Sequence, residues 1–110
     1  MRLALAFVLV ACGGATPKES TLDKAQQEKL CRGSADHLVL LITGDQTGGV
    51  PTADRLRTGL LEQCVTRKWS IEAMDCFTIL ETIDKADTCA PYLTVPQRDG
   101  FQQAIETAVR

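Results

Sequence analysis

The chain has 110 residues, 12 basic and 14 acidic side chains and a formal net charge of −2, enough for one domain with a single core. It has no basic block, which argues against a nucleic-acid surface, and no acidic tail. Charges of both signs are scattered, as on an ordinary solvated surface.

The N-terminus carries the strongest local signal. Met1-Arg2 supplies one positive charge, and Leu3 to Val10 is an unbroken apolar run of eight residues. A helix needs about 20 apolar residues to cross a bilayer. This run is too short to span and fits the apolar part of an export signal. It ends at Leu9-Val10-Ala11-Cys12, followed by Gly13-Gly14. That tetrad resembles the lipobox of bacterial lipoproteins: an aliphatic residue, a small or aliphatic one, a small one, then cysteine. The resemblance implies cleavage before Cys12, a diacylglycerol on its thiol and acylation of its new amine. The competing readings are an ordinary cleaved signal beside a free cysteine, or a buried N-terminal strand. Two or three acyl chains hold stably where one is marginal, at about 0.8 kcal/mol per buried methylene. Gly13 follows the cysteine where an Asp would retain the protein, which under the enteric sorting rule implies the outer membrane. The expected address is the bacterial cell envelope, with the lipid-bearing membrane as a partner. Cleavage would leave 99 residues with 11 basic and 14 acidic side chains, a net charge of −3.

The expected organisation is a signal peptide over 1–11, a lipidated tether over 12–19 and a helical domain over 20–110. Gly13 to Glu19 has no apolar periodicity and reads as a short tether. A first helix is expected to start after Ser20 or Thr21, either of which is a suitable cap, with Asp23 favourable at the positive end of its dipole. Leu30, Ser34, Leu38 and Leu41 fall on one face. Leu38 to Ile42 is apolar all round, so deep burial is expected there. Gly33 weakens this helix by about 1 kcal/mol relative to alanine. Gly44 to Gly49 is a connector, since it lacks the phosphate-loop pattern.

Thr52 is expected to cap a second helix reaching about Thr66, with Leu56, Leu60 and Cys64 at four-residue intervals. A tight turn over Arg67-Lys68-Trp69 follows. Ser70 caps a third helix with Glu72 in its first turn, and Trp69 and Met74 occupy the two positions of a hydrophobic staple. Phe77, Leu80 and Ile83 are expected to be buried, with Ile83 late in this helix. Asp84 to Pro91 is a polar connection containing Cys89. Thr94 or Val95 with Pro96 opens the last helix, whose apolar face carries Phe101, Ala104, Ile105 and Ala108. No strand-like alternation persists. The fold class is all-α: a small four-helix bundle-like domain with two disulfides, after a cleaved signal segment and a short tether.

With Cys12 assigned to lipid, Cys31, Cys64, Cys76 and Cys89 remain. An even number in a small exported domain points to disulfides. Three connectivities are open. Cys31 lies twelve residues before the expected end of the first helix, and Cys64 twelve after the expected start of the second. An antiparallel hairpin sets them at matching heights. This favours Cys31–Cys64 with Cys76–Cys89, the latter requiring the 84–91 connection to fold back along the third helix. A metal site competes poorly, because the cysteine intervals of 33, 12 and 13 residues contain no close pair.

His37, the only histidine, reads as a partly exposed helical side chain rather than a base or ligand. Glu72 with Asp75, and Glu81 with Asp84, read as solvated face rather than acid/base pairs. Trp69 is a staple residue before it is a recognition anchor. The run Cys64-x4-Trp69-Ser70-x5-Cys76-Phe77, with Cys89 and Tyr92-Leu93-Thr94, resembles small cysteine-containing helical lipoproteins of predatory and social soil bacteria. The resemblance implies a shape and no activity. The functional expectation is a membrane-anchored envelope lipoprotein, non-enzymatic and without a cofactor, acting as a binding or structural module toward an unidentified envelope protein. The alternative is a metal-dependent or catalytic envelope protein using the cysteines or His37.

Overall fold

A computed structural model describes residues 17–44 and 51–109. The expected signal, Cys12, most of the tether and the 45–50 connector lie outside those residues. The fold is all-α. Helix α1 spans Lys24–Thr43, α2 Pro51–Thr66, α3 Ile71–Thr78 and α4 Val95–Ala108. Two short 3-10 helices, Ile83–Thr88 and Ala90–Tyr92, connect α3 to α4. There is no strand among the described residues. Helix α2 packs between α1 and α4, while α3 packs against α1.

Helix α1 starts later than expected, and the reason is tertiary. Asp23 is its cap, accepting a 2.8 Å hydrogen bond from the Gln26 amide. Ser20 is engaged elsewhere: its N–H donates to the Lys68 carbonyl at 2.8 Å and its hydroxyl donates to Gln27 Oε1. The buried face of α1 carries Gln27, Cys31, Ser34, Ala35, Leu38 and Val39. It is rotated from the expected face, since Leu30 is exposed and Leu41 only half-buried. Nor is the 38–42 run buried all round, because Leu40 remains 44% exposed. Helix α1 is covered on one side only, by α2, α3 and the first 3-10 helix.

Helix α2 begins at Pro51, a residue before its expected cap Thr52. Its C-terminus is a Schellman motif. The Trp69 N–H reaches back to the Cys64 carbonyl at 3.1 Å and the Lys68 N–H to the Val65 carbonyl at 3.3 Å, with Lys68 left-handed at φ 53°. Glycine is the usual occupant of that position. Ser70 then caps α3, accepting from the Ala73 amide at 3.1 Å, and the staple residues Trp69 and Met74 are both buried. Helix α3 stops at Thr78, short of the expected Ile83. The chain turns inward at Leu80, which is buried, while Ile83 opens the 3-10 segment and is half-buried. Helix α4 opens with a full capping box, Thr94 Oγ1 accepting from the Gln97 amide at 3.3 Å and Gln97 Oε1 from the Thr94 amide at 2.8 Å.

The core is one cluster that all four helices share. Trp69, Phe77 and Phe101 form its aromatic centre, with ring centroids 5.2 to 6.0 Å apart, favourable separations for such pairs. Helices α2 and α4 approach closely because their contact positions are small. A Cβ on Gly59 would stand 3.4 Å from the Ala104 Cβ, and one on Gly100 would overlap the Gln63 amide oxygen. Arg55 on α2 donates to the Ala108 carbonyl at 3.2 Å, covering the C-terminus of α4. The disulfides join Cys31 to Cys64 and Cys76 to Cys89, the pairing favoured by matching heights. The first ties α1 to α2 within the core. The second ties α3 to the residue between the two 3-10 helices.

Two stability outcomes are expected. Left-handed backbone costs an L-residue roughly 1–2 kcal/mol, and glycine gives back part of that gain in unfolded-state entropy. Lys68→Gly should therefore raise the urea midpoint, by about 0.5–1 kcal/mol of stability; a lower midpoint would show that the lysine side chain outweighs the backbone. The Cys31–Cys64 bridge closes a loop of 33 residues, worth about 3–4 kcal/mol on chain-entropy grounds, against about 5–10 kcal/mol for a domain of this size. Replacing both cysteines by alanine should lower the melting temperature by roughly 15 °C or more. The helical circular-dichroism signal should survive in the cold. An unchanged melting curve would mean that the core suffices without the bridge.

Candidate functional site

Cys12, the expected lipid site, lies outside the described residues. Cys31, Cys64, Cys76 and Cys89 are all disulfide-bonded, and all but Cys76 are fully buried. A disulfide sulfur is not a thiolate, so in this state the four cysteines act as staples and offer neither a nucleophile nor a strong metal donor. Among the described residues no three His, Cys, Asp or Glu side chains are grouped to hold a metal ion.

His37 does structural work. Its Nε2 donates to the Leu80 carbonyl at 2.6 Å, tying the distal half of α1 to the turn after α3. Its neighbour Asp36 is turned away onto Arg57 at 2.9 Å. Glu72, Asp75, Glu81 and Asp84 are exposed, and Glu81 pairs with Lys85 at 3.6 Å. A hydrogen bond from the Thr82 side chain, with help from backbone N–H and Lys85, holds the Asp84 carboxyl below its usual range. That group stays ionised in water and has no proton to give near neutrality. Trp69 is fully buried, and its Nε1 has no partner among the described residues. It anchors the core and presents nothing to a ligand.

What the structure gathers instead is one end of the bundle, around the turn from α2 to α3. Gln27 on α1, itself buried, donates through Nε2 to the Cys64 and Trp69 carbonyls at 3.2 and 3.0 Å. Gln97 on α4, equally buried, donates to the Arg67 and Lys68 carbonyls at 2.8 and 3.3 Å and lies 3.5 Å from the Lys18 carbonyl. The N-terminal arm crosses here, through the Ser20 bonds to Lys68 and Gln27. Three helix N-termini, those of α1, α3 and α4, therefore meet the C-terminus of α2. Gln97 was readable in the sequence as the partner of Thr94 in a capping box. Gln27 was not, because a glutamine on a core face breaks the apolar pattern that would identify the face.

Two shallow grooves flank the arm. One, of about 340 Å³, is bounded by Leu22, Lys24, Gln27, Val65, Thr66 and Lys68. The other, of about 160 Å³, runs between Lys18–Leu22 and Ser70–Glu72. Neither brings a nucleophile to a base, so the chemistry on offer is hydrogen bonding, apolar contact and charge. Among the described residues no helix is long and apolar enough to cross a membrane.

The bridges set a direct check: alkylation of the denatured, unreduced domain should modify none of Cys31, Cys64, Cys76 and Cys89. Two or more modified positions would free donors and reopen metal binding. Compared with known proteins, the chain matches no family model, no curated protein and no solved structure.

Proposed function

We propose that the chain is a lipoprotein of the bacterial cell envelope. In this reading it is held by lipid on Cys12 in the outer membrane, and its helical domain is a non-catalytic binding or structural module for an envelope protein. The carrying observation is the sequence of the first twelve residues: one cation, eight apolar residues and the Leu9-Val10-Ala11-Cys12 tetrad. Two disulfides within so small a domain support it, since such bridges form and persist where proteins are exported. The module reading rests on how the reactive side chains are used. Cys31, Cys64, Cys76 and Cys89 are consumed in bridges, the His37 ring is bonded to a backbone carbonyl, and Glu72, Asp75, Glu81 and Asp84 face water.

Cys12→Ser removes the acceptor for lipid and leaves the domain untouched. In cells fed a radioactive fatty acid, the parent chain should take up label and sediment with membranes, and the variant should remain unlabelled and uncut. Equal labelling and equal membrane association of the two chains would overturn the reading.

A further inference from the structure

We propose that the end of the bundle where α1, α3 and α4 begin rests against the anionic headgroups of the membrane that holds the lipid. Lys18, Lys24, Arg67 and Lys68 make the contact. This orientation rests on the lipid-anchor reading above. Reach holds this end to the bilayer. Five residues lead from Cys12 to Pro17, and a fully extended chain of that length spans at most about 17 Å. The chain is then fixed to the domain immediately, by the Ser20 N–H on the Lys68 carbonyl and by Gln97 beside the Lys18 carbonyl. Whatever path residues 12–17 take, the end carrying the α2–α3 turn is leashed to the bilayer. The other end of α1 lies about 30 Å away along its axis.

Charge favours the same orientation. Lys18, Lys24, Arg67 and Lys68 are all exposed, and among the described residues none is paired with a carboxylate. Within the arm, the α2–α3 turn and the first two positions of α1, α3 and α4, they share that end with three exposed acidic side chains, Glu19, Asp23 and Glu72. The remainder of the chain after Cys12 carries seven basic and eleven acidic side chains. The leashed end is thus net positive on a net negative body. Three helix N-termini against one helix C-terminus leave a net partial positive charge of the same sense. Juxtamembrane cations are drawn to anionic lipid within about a Debye length. Ile71 and Val95, 44% and 58% exposed beside the α3 and α4 starts, supply apolar contact at the same level.

The test is lysine footprinting of the lipidated protein added to vesicles. Phosphatidylglycerol mixed with phosphatidylethanolamine is compared with phosphatidylcholine alone. A brief pulse of a water-soluble acetylating reagent is read by peptide mass, with Lys85 as internal reference. Lys85 follows Leu80, whose carbonyl is held by His37 in the distal half of α1. Lys18, Lys24 and Lys68 should react several-fold more slowly, relative to Lys85, on the anionic vesicles, and high salt should erase the difference. In the double variant Arg67→Glu, Lys68→Glu, protection of Lys18 and Lys24 should fall while the lipid mass and helical signal are kept. A lipidated chain with equal lysine ratios on both vesicles overturns the orientation alone, as do ratios shifted the other way, with Lys85 the more protected. An N-terminal peptide without the lipid mass overturns the anchor, and the orientation with it.

Discussion

The architecture turns on the carbonyls at the C-terminus of α2. A helix leaves its last four carbonyls without intrahelical donors, and burial without partners is costly. Here that end is driven inward, because Trp69 directly after it is the largest buried side chain. The chain satisfies these acceptors from four sources: its own Schellman bonds, the Ser20 N–H of the arm, Gln27 of α1 and Gln97 of α4. Each glutamine amide is thereby a tertiary link as well as a cap. Helices α1 and α4 are not adjacent partners of one another; both are registered on the same turn.

That register explains the positions of the bridges. Gln27 and Cys31 are one helical turn apart on the buried face of α1, and Cys64 supplies both the sulfur bonded to Cys31 and a carbonyl bonded to Gln27. The hydrogen bond and the disulfide hold the same height of the α1–α2 pair. The second bridge works where packing is thin. Neither 3-10 helix contains a fully buried residue, so Cys89 and Leu93 are the points at which this segment enters the core.

Much of this was legible in the sequence, for identifiable reasons. Ser70 and Thr94 announced two helix starts through capping chemistry, and the four-residue spacing of Leu56, Leu60 and Cys64 gave the true inner face of α2. Cysteine heights sufficed for the Cys31–Cys64 pair because α1 and α2 are antiparallel neighbours, which left Cys76 to Cys89. The inner face of α1 was placed correctly at Ser34 and Leu38 but misphased around them, because the buried Gln27 is polar while the large apolar Leu30 is exposed and Leu41 only half-buried. Ser34 is satisfied there by the Met74 carbonyl at 2.9 Å, a partner forty residues away that no local pattern reveals. The Schellman turn was hidden by a lysine where glycine is the usual signal. The start of α1 was misplaced for a related reason, since Ser20 has the chemistry of a cap and is spent on a tertiary contact.

The same contact changes what the tether is. Read from composition, residues 13–19 form a seven-residue leash ending before the domain. In the fold, Lys18 and Ser20 already belong to the bundle end, because their backbone bonds to Gln97 and Lys68. The stretch between Cys12 and the bundle is therefore shorter than composition suggests. A short leash converts attachment into orientation, since rotation of the domain is limited by the distance between its attachment point and the surface. On the proposed lipid anchor at Cys12, the α2–α3 turn would lie nearest the bilayer. The distal half of α1 and the turn held by His37 would then be the parts carried farthest from the surface.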